Sequence, residues 1–185
     1  MKFQNIILAT TLLVSHNILA ATVNFDLRDS SIGNLDGSQT FTFTSGGISA
    51  TVSANTGVLN HTASGFGING LSTSDDTDGL EIGETVSIAF NANILLSGFS
   101  VSSFGAADSG TFQTGSVPLY AISSTGFQDL SNIFIAAGSS INISGSTGSF
   151  SLDSVRVETV PIPSALLLFV TGIVPLMLAG IRQKK

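Results

Sequence analysis

The chain contains no cysteine and no tryptophan, and it has a single tyrosine, Tyr120. Without cysteine it cannot form a disulfide, a thiolate nucleophile or a cysteine-based zinc site. Beyond residue 21 the only histidine is His61, which argues against a histidine-rich metal site. The domain must therefore be stable through its own hydrophobic core, for which 13 phenylalanines and many aliphatic residues are present.

Positive charge is scarce between the two ends of the chain. Of the six Lys and Arg residues, only Arg28 and Arg156 lie between Ala21 and Val160, whereas all twelve Asp and Glu residues lie there. Phosphate backbones repel so acidic a region, so we expect no nucleic-acid partner. Cations and neutral polymers are the expected kinds of ligand.

Residues 1–21 have the features of a secretory signal peptide. Lys2 provides a positive start, an apolar stretch runs from Ile6 to Val14, and small residues follow at Ala20 and Ala21. This order predicts cleavage by signal peptidase after Ala20 or Ala21 and export of the remaining chain.

Residues 164–181 form an uncharged, mostly apolar run of 18 residues. As a helix the run would be roughly 27 Å long, enough to cross the hydrocarbon core of a bilayer. A basic tail follows at once, and basic residues stay on the cytoplasmic side of a membrane. We predict a transmembrane helix over 164–181, with the preceding domain on the far side of the membrane.

The order of features in residues 160–185 is a Val-Pro-x-Pro motif, then an apolar helix, then a basic tail. This order resembles the PEP-CTERM sorting signal of Gram-negative bacteria. The resemblance implies recognition by an exosortase, cleavage near the proline motif, and transfer from the inner membrane to the cell surface or exopolysaccharide matrix. No Glu lies between the prolines, so a retained membrane anchor remains the alternative. The sorting residues that the resemblance implies are Val160, Pro161, Ile162, Pro163, Gly172, Arg182, Lys184 and Lys185.

Residues 22–159 show short stretches in which apolar and polar residues alternate. This period of two, interrupted by Gly, Ser, Asn and Asp clusters such as 45–47 and 145–148, is typical of half-buried antiparallel strands. We predict an all-β domain, an antiparallel β-sandwich or jelly roll, which also resembles the sandwich domains common in PEP-CTERM proteins. The alternating apolar residues are Val23, Phe25, Leu27, Phe41, Phe43, Ile48, Ala50, Val52, Val86, Ile88, Phe90, Phe99, Val101, Ile141, Ile143, Phe150, Leu152, Val155 and Val157, with a register shift near Ser154.

Asp75, Asp76, Asp78 and Glu81 form the densest acidic cluster, and Gly79 allows a tight turn among them. Calcium prefers several carboxylate and carbonyl oxygens, so these four residues are candidate calcium ligands. The spacing does not complete an EF-hand. If Ser74 is position one of the loop, position twelve, where an EF-hand has a glutamate ligand, is Thr85, and a strand is predicted there instead of a helix. A solvated turn is the alternative.

Two further patterns carry no predicted chemistry. Residues 65–70 match G-x-G-x-x-G, but an acidic polar stretch follows instead of the helix that a dinucleotide site needs, so we interpret them as a flexible loop. Acidic residues are present, yet no pair with flanking aromatics indicates a glycosidase. We therefore expect no enzymatic activity and no obligatory cofactor.

These patterns together predict an exported surface or exopolysaccharide-matrix protein with a structural role in biofilm, sorted by an exosortase through its C-terminal tail. One alternative is a carbohydrate-binding β-sandwich module, with calcium stabilising the acidic loop. Another is an envelope protein that stays anchored in the membrane. The expected partners are signal peptidase, exosortase, exopolysaccharide and, before processing, the membrane.

Overall fold

The regular structure is almost entirely β-strand in the computed structural model, which describes residues 20–32, 35, 38–70, 79–115 and 117–160. A single 3-10 turn, Ser30–Ile32, is the only helical element within those residues. The strands are β1 Thr22–Asp26, β2 Thr40–Ser45, β3 Ile48–Ala54, β4 Val58–Thr62, β5 Gly65–Asn69, β6 Thr85–Phe90, β7 Ile94–Ser102, β8 Ser109–Thr114, β9 Val117–Ile122, β10 Gly126–Ile135, β11 Ser140–Thr147 and β12 Ser151–Thr159.

The strands form two six-stranded sheets in which every pairing between named strands is antiparallel. Sheet A has the order β10-β7-β12-β5-β4, and sheet B has the order β2-β3-β6-β11-β8-β9. Strand β1 shares one edge of β12 with β5: β1 pairs with 154–158 and β5 pairs at Leu152. The predicted all-β class is confirmed.

The hydrophobic core lies between the inner faces of the two sheets. The rings of Phe99 in sheet A and Phe112 in sheet B are stacked 5.3 Å apart, and both residues are fully buried. A second contact joins Phe66 of sheet A to Phe43 of sheet B at 5.5 Å, edge to face. Each fully buried side chain of this size contributes roughly 1.5–3 kcal/mol through removal of apolar surface from water. The two sheets thus pack as a β-sandwich.

The predicted alternation agrees with the observed burial in most strands. In β6, for example, Val86, Ile88 and Phe90 are buried while the residues between them are half-exposed. Of the predicted inward residues, only Phe41 and Phe43 are partly exposed, because β2 is an edge strand. The register shift predicted near Ser154 is present between Leu152 and Ser154.

The loop predicted over 65–70 is wrong. Gly65–Asn69 is strand β5, and its Phe66 and Ile68 are fully buried. A Cβ atom on Gly65 would collide with the backbone carbonyl of Leu152, so the absent side chain allows β5 to approach β12. The glycines here permit close strand packing rather than flexibility.

The turn predicted at 145–148 is also displaced. Strand β11 continues through Thr147, with a bulge between Gly145 and Thr147. A Cβ on Gly145 would contact the Glu81 carbonyl, so this glycine accommodates a neighbouring backbone inside the strand.

Both predicted targeting segments, 1–19 of the signal peptide and 161–185 of the tail, lie outside the described residues. Within the part of the chain that the structure describes, no helix has the length and apolar character needed to span a bilayer.

Candidate functional site

The acidic cluster that we considered for calcium is described only at one end. Asp75, Asp76 and Asp78 lie outside the described residues, whereas Glu81 lies within them. Across 79–115 and the other described stretches, no three Asp, Glu, His or Cys side chains converge as a metal site would require. The calcium hypothesis therefore remains a prediction.

The two backbone ends of this acidic segment are held by hydrogen bonds. The Ile68 N–H in β5 donates to the Gly79 carbonyl at 3.1 Å. This hydrogen bond joins the described residues that precede and follow 71–78. Beyond it, the Glu81 N–H donates to Glu84 Oε2 at 2.8 Å, and Leu80 forms a bridge with Phe150. The described residues beside the acidic segment are thus bound to β5 and to Phe150, the residue before β12.

A polar groove crosses the outer face of sheet A, and none of its residues was a sequence candidate. It has a volume of about 450 Å³ and an open shape, within the range of roughly 300–1,000 Å³ that is usual for ligand sites. We call it the sheet A groove; its lining residues are Thr22, Ser97, Phe127, Asp129, Ser131, Asn132, Arg156 and Glu158.

Two adjacent β-bulges shape the groove. In β7, Ser97 is an extra residue between Leu96, which pairs with Val157, and Gly98, which pairs with Arg156. In the neighbouring strand β10, the register also shifts, between Asp129 and Ile133. Bulges of this kind bend a strand and redirect its side chains, and they occur often at functional sites. Here the two bulges lie side by side where β10, β7 and β12 form the groove.

The β10 bulge includes two consecutive residues in the left-handed region, Ser131 at φ 54° and Asn132 at φ 61°. Each such conformation costs roughly 1–2 kcal/mol for a residue with a side chain. The Ser131 N–H donates to Asp129 Oδ1 at 2.9 Å, which stabilises the turn. Both residues thereby present exposed polar side chains at the rim of the groove.

Phe127 lies on the floor of the groove and is 41% exposed. The guanidinium carbon of Arg156 is 4.5 Å from the centre of its ring. This contact is possible because the residue between them on β7 is Gly98: a Cβ there would lie 2.6 Å from Phe127 Cζ. We call the stacked pair Phe127 and Arg156 the Arg–Phe platform.

Two carboxylates flank the Arg–Phe platform. Asp129 pairs in register with Gly98, which pairs in turn with Arg156, so these positions form one row across three strands. Glu158 lies two residues beyond Arg156 on β12, and its Oε1 accepts a hydrogen bond from Ser97 Oγ at 3.4 Å. The groove therefore combines an aromatic surface, one cation and two anions.

Arg156 forms no ion pair with either carboxylate. Among the described residues both ion pairs involve Arg28, which lies just beyond the other end of β1 and contacts Asp26 and Asp153. No acceptor within the described chain accepts a hydrogen bond from the guanidinium of Arg156. The guanidinium contacts the Phe127 ring. Because Arg156 is exposed, its N–H groups can donate to a ligand.

The groove could not be found from the sequence because its residues are distant in the chain. Phe127 and Arg156 are 29 positions apart and meet only through the register of β10, β7 and β12. One signal was available: Arg156 is one of just two basic residues between Ala21 and Val160. His61, by contrast, is half-buried near the end of β4, with its ring 5.4 Å from that of Phe66.

The sequence matches no protein-family model, and no curated protein is significantly similar to it. We therefore infer function from the residues of this chain alone.

Proposed function

We propose that the chain is an exported, non-enzymatic surface or exopolysaccharide-matrix protein that an exosortase sorts through residues 160–185. The order of the C-terminal features carries this proposal: the Val160–Pro163 motif, the apolar run 164–181 and the basic tail at 182–185. The two-sheet domain is compatible with it, because its stability comes from a hydrophobic core between the sheets and the chain has no cysteine for a disulfide. A membrane-anchored envelope protein is the alternative if the tail is retained.

Cell fractionation tests the sorting step. In cells that contain an exosortase, we expect the protein in the matrix and surface fractions; in cells that lack the enzyme, it should accumulate in the inner membrane. In cells that contain the exosortase, a variant with Pro161 and Pro163 replaced by alanine should accumulate in the inner membrane, as the wild type does in cells that lack the enzyme. Equal distribution in all three cases would favour the permanent anchor.

The sheet A groove favours a second candidate function, carbohydrate binding. An aromatic ring beside fixed polar groups is a usual arrangement for sugars, which combine an apolar ring face with hydroxyl groups. We propose that the β-domain retains matrix polysaccharide through this groove. A glycan array with and without a chelator tests this role: absence of binding in both conditions contradicts it.

We propose that the groove binds without hydrolysing. It contains two carboxylates, but Asp129 is exposed and Glu158 is half-buried on an open, polar surface, unlike the enclosed carboxyl pair of a glycosidase. Release of oligosaccharides from a polysaccharide by the purified protein would contradict this proposal.

Calcium binding by Asp75, Asp76, Asp78 and Glu81 is a separate proposal. The hydrogen bond between Ile68 and Gly79 supports it, because it holds together the described residues on either side of 71–78. Calcium should raise the melting temperature in the wild type and not in Asp78→Asn. An unchanged melting temperature in the wild type would favour the solvated turn.

The strand order supports the finer assignment of a jelly roll. From β5 to β12, the first strand pairs with the eighth, the second with the seventh, the third with the sixth and the fourth with the fifth. Eight strands paired in this nested way, in two sheets, form a jelly roll. In this proposal β1–β4 are additions at the edges of the two sheets.

A further inference from the structure

We infer that the ligand of the sheet A groove is a neutral polysaccharide, bound by its hydroxyl groups on the Arg–Phe platform. This inference rests on the carbohydrate-binding role proposed above. Its starting point is the guanidinium of Arg156, which lies 4.5 Å above the Phe127 ring and donates to no acceptor in the described chain. A planar fork of N–H donors beside an aromatic ring can donate to the hydroxyl oxygens of a ligand in place of water.

The groove also presents carboxylate oxygens that can accept hydrogen bonds from a ligand. Asp129 Oδ1 is bound to the Ser131 N–H, and Glu158 Oε1 is bound to the Ser97 hydroxyl. The other oxygen of each carboxylate has no hydrogen bond from the described protein. Hydroxyl groups donate and accept at once, so neighbouring hydroxyls of a sugar can bind both the carboxylates and the guanidinium.

The charge balance disfavours polyanions. A polyanion would meet two carboxylates in the groove and a domain with twelve acidic and two basic residues between Ala21 and Val160. A polycation would be attracted to the acidic domain, but its cationic groups can only donate hydrogen bonds and offer no acceptor to the guanidinium of Arg156. The hydroxyl groups of a neutral polysaccharide can donate to the carboxylates and accept from the guanidinium, and a neutral chain is repelled by neither charge.

The extent of the polar face favours a chain over a single sugar. The row of Asp129, Gly98, Arg156 and Asn24 crosses β10, β7, β12 and β1. Three inter-strand spacings of about 4.8 Å give about 14 Å, more than one sugar ring covers. Thr22 and Ser97 add hydroxyl groups along the same face.

Affinity electrophoresis of the full chain tests the inference. The protein is run in a polyoxyethylene detergent, which has no sugar headgroup, through gels containing a neutral glucan, galactan or mannan, or polygalacturonate. We expect a neutral polymer to retard the wild type. Arg156→Ala and Phe127→Ala should each weaken that binding about tenfold or more, because the first removes the charged hydrogen bonds to the sugar and the second removes the aromatic surface and the contact with Arg156.

Two matched variants serve as controls. Arg28→Ala removes the same charge outside the groove, and Tyr120→Ala removes an aromatic ring of similar exposure, 39%, from sheet B. Both should bind like the wild type. Arg156→Lys keeps the charge but loses the planar fork, and it should bind nearly as weakly as Arg156→Ala. Circular dichroism checks that every variant is folded.

The outcomes separate the inference from the function on which it rests. Stronger retardation by polygalacturonate, lost in Arg156→Ala, would overturn the neutral ligand but leave carbohydrate binding intact. Binding of a neutral polymer that Arg156→Ala and Phe127→Ala leave unchanged would overturn the assignment to this groove. Retardation by no polymer would overturn both the inference and the carbohydrate-binding role.

Discussion

The guanidinium of Arg156 lies over the ring of Phe127, 4.5 Å from its centre, although the two residues belong to strands that are not neighbours. Strand β7 separates them, and the contact crosses it at Gly98. A cation over an aromatic face contributes about 0.5–1 kcal/mol at an exposed site, so the pair adds little to the stability of the fold.

Gly98→Ala should disrupt this arrangement. The new methyl group would collide with the Gln128 carbonyl and lie 2.6 Å from Phe127 Cζ, so β10 or the ring must move. We expect a loss of about 1–3 kcal/mol in the free energy of unfolding, together with weaker polysaccharide binding. Gly115→Ala is the control: no atom lies within 4 Å of the position that its new methyl group would take, and it should unfold like the wild type or be slightly more stable. Equal stability of the two variants in urea would contradict the close approach.

Gly65→Ala tests whether 65–69 is a packed strand. Gly65 has φ +121°, and a Cβ there would lie 2.7 Å from the Leu152 carbonyl carbon. Strain and overpacking together should lower the free energy of unfolding by about 2–5 kcal/mol. Gly83→Ala, at φ +83° with open space around it, should lose only about 1–2 kcal/mol from strain. If the Gly65 variant lost no more than the Gly83 variant, residues 65–69 would be a loop after all.

The contact between Phe99 and Phe112 should dominate the cohesion of the two sheets. Replacing either fully buried ring with alanine should cost about 3–5 kcal/mol in the free energy of unfolding. A double-mutant cycle should give a coupling energy of about 0.5–1.5 kcal/mol, because the rings stack across the core. Ile82→Ala, at a position that is 72% exposed, should change stability by less than about 0.5 kcal/mol. Additive losses at the two phenylalanines would contradict direct stacking.

Asp29 gives the fold a small pH dependence. The backbone N–H and the hydroxyl of Ser31 donate to its carboxylate and hold the pKa of Asp29 below its usual value. The folded state therefore favours the charged form, and this stabilisation is present above the unfolded-state pKa and lost as pH falls through the folded-state pKa.

Asp29→Asn should remove that stabilisation while keeping a side-chain acceptor for Ser31. The wild type should be the more stable protein near neutral pH, and the difference should vanish in acid below the folded-state pKa of Asp29. Urea unfolding across this range measures the difference. A difference that does not change with pH would show that charge is not its origin.

Local pattern was sufficient to predict much of the sandwich. In β1, β3, β6 and β11, each apolar residue of the alternating pattern is buried, because one face of each strand contacts the core and the other contacts water. The register shift near Ser154 was visible as two polar residues between Leu152 and Val155. These features depend on neighbours in the chain, so the sequence expresses them directly.

The errors and omissions have a different origin. Gly65 was interpreted as a loop residue because its function, close approach to Leu152, depends on a strand 87 positions away. The groove depends on bulges in β7 and β10 that align only in the folded sheet. Strands β9 and β10 carry exposed apolar residues such as Leu119 and Phe127, which obscure alternation. Long-range register decided each case.

If an exosortase sorts the protein, the mature polypeptide lacks the segment that follows the proline motif. Mass spectrometry of the protein isolated from its native cells measures this loss directly. We predict a mature chain that begins at Ala21 or Thr22 and ends near Val160–Pro163, without residues 164–185. A C-terminal peptide that is intact through Lys185 would contradict exosortase processing and show that the tail is a permanent anchor.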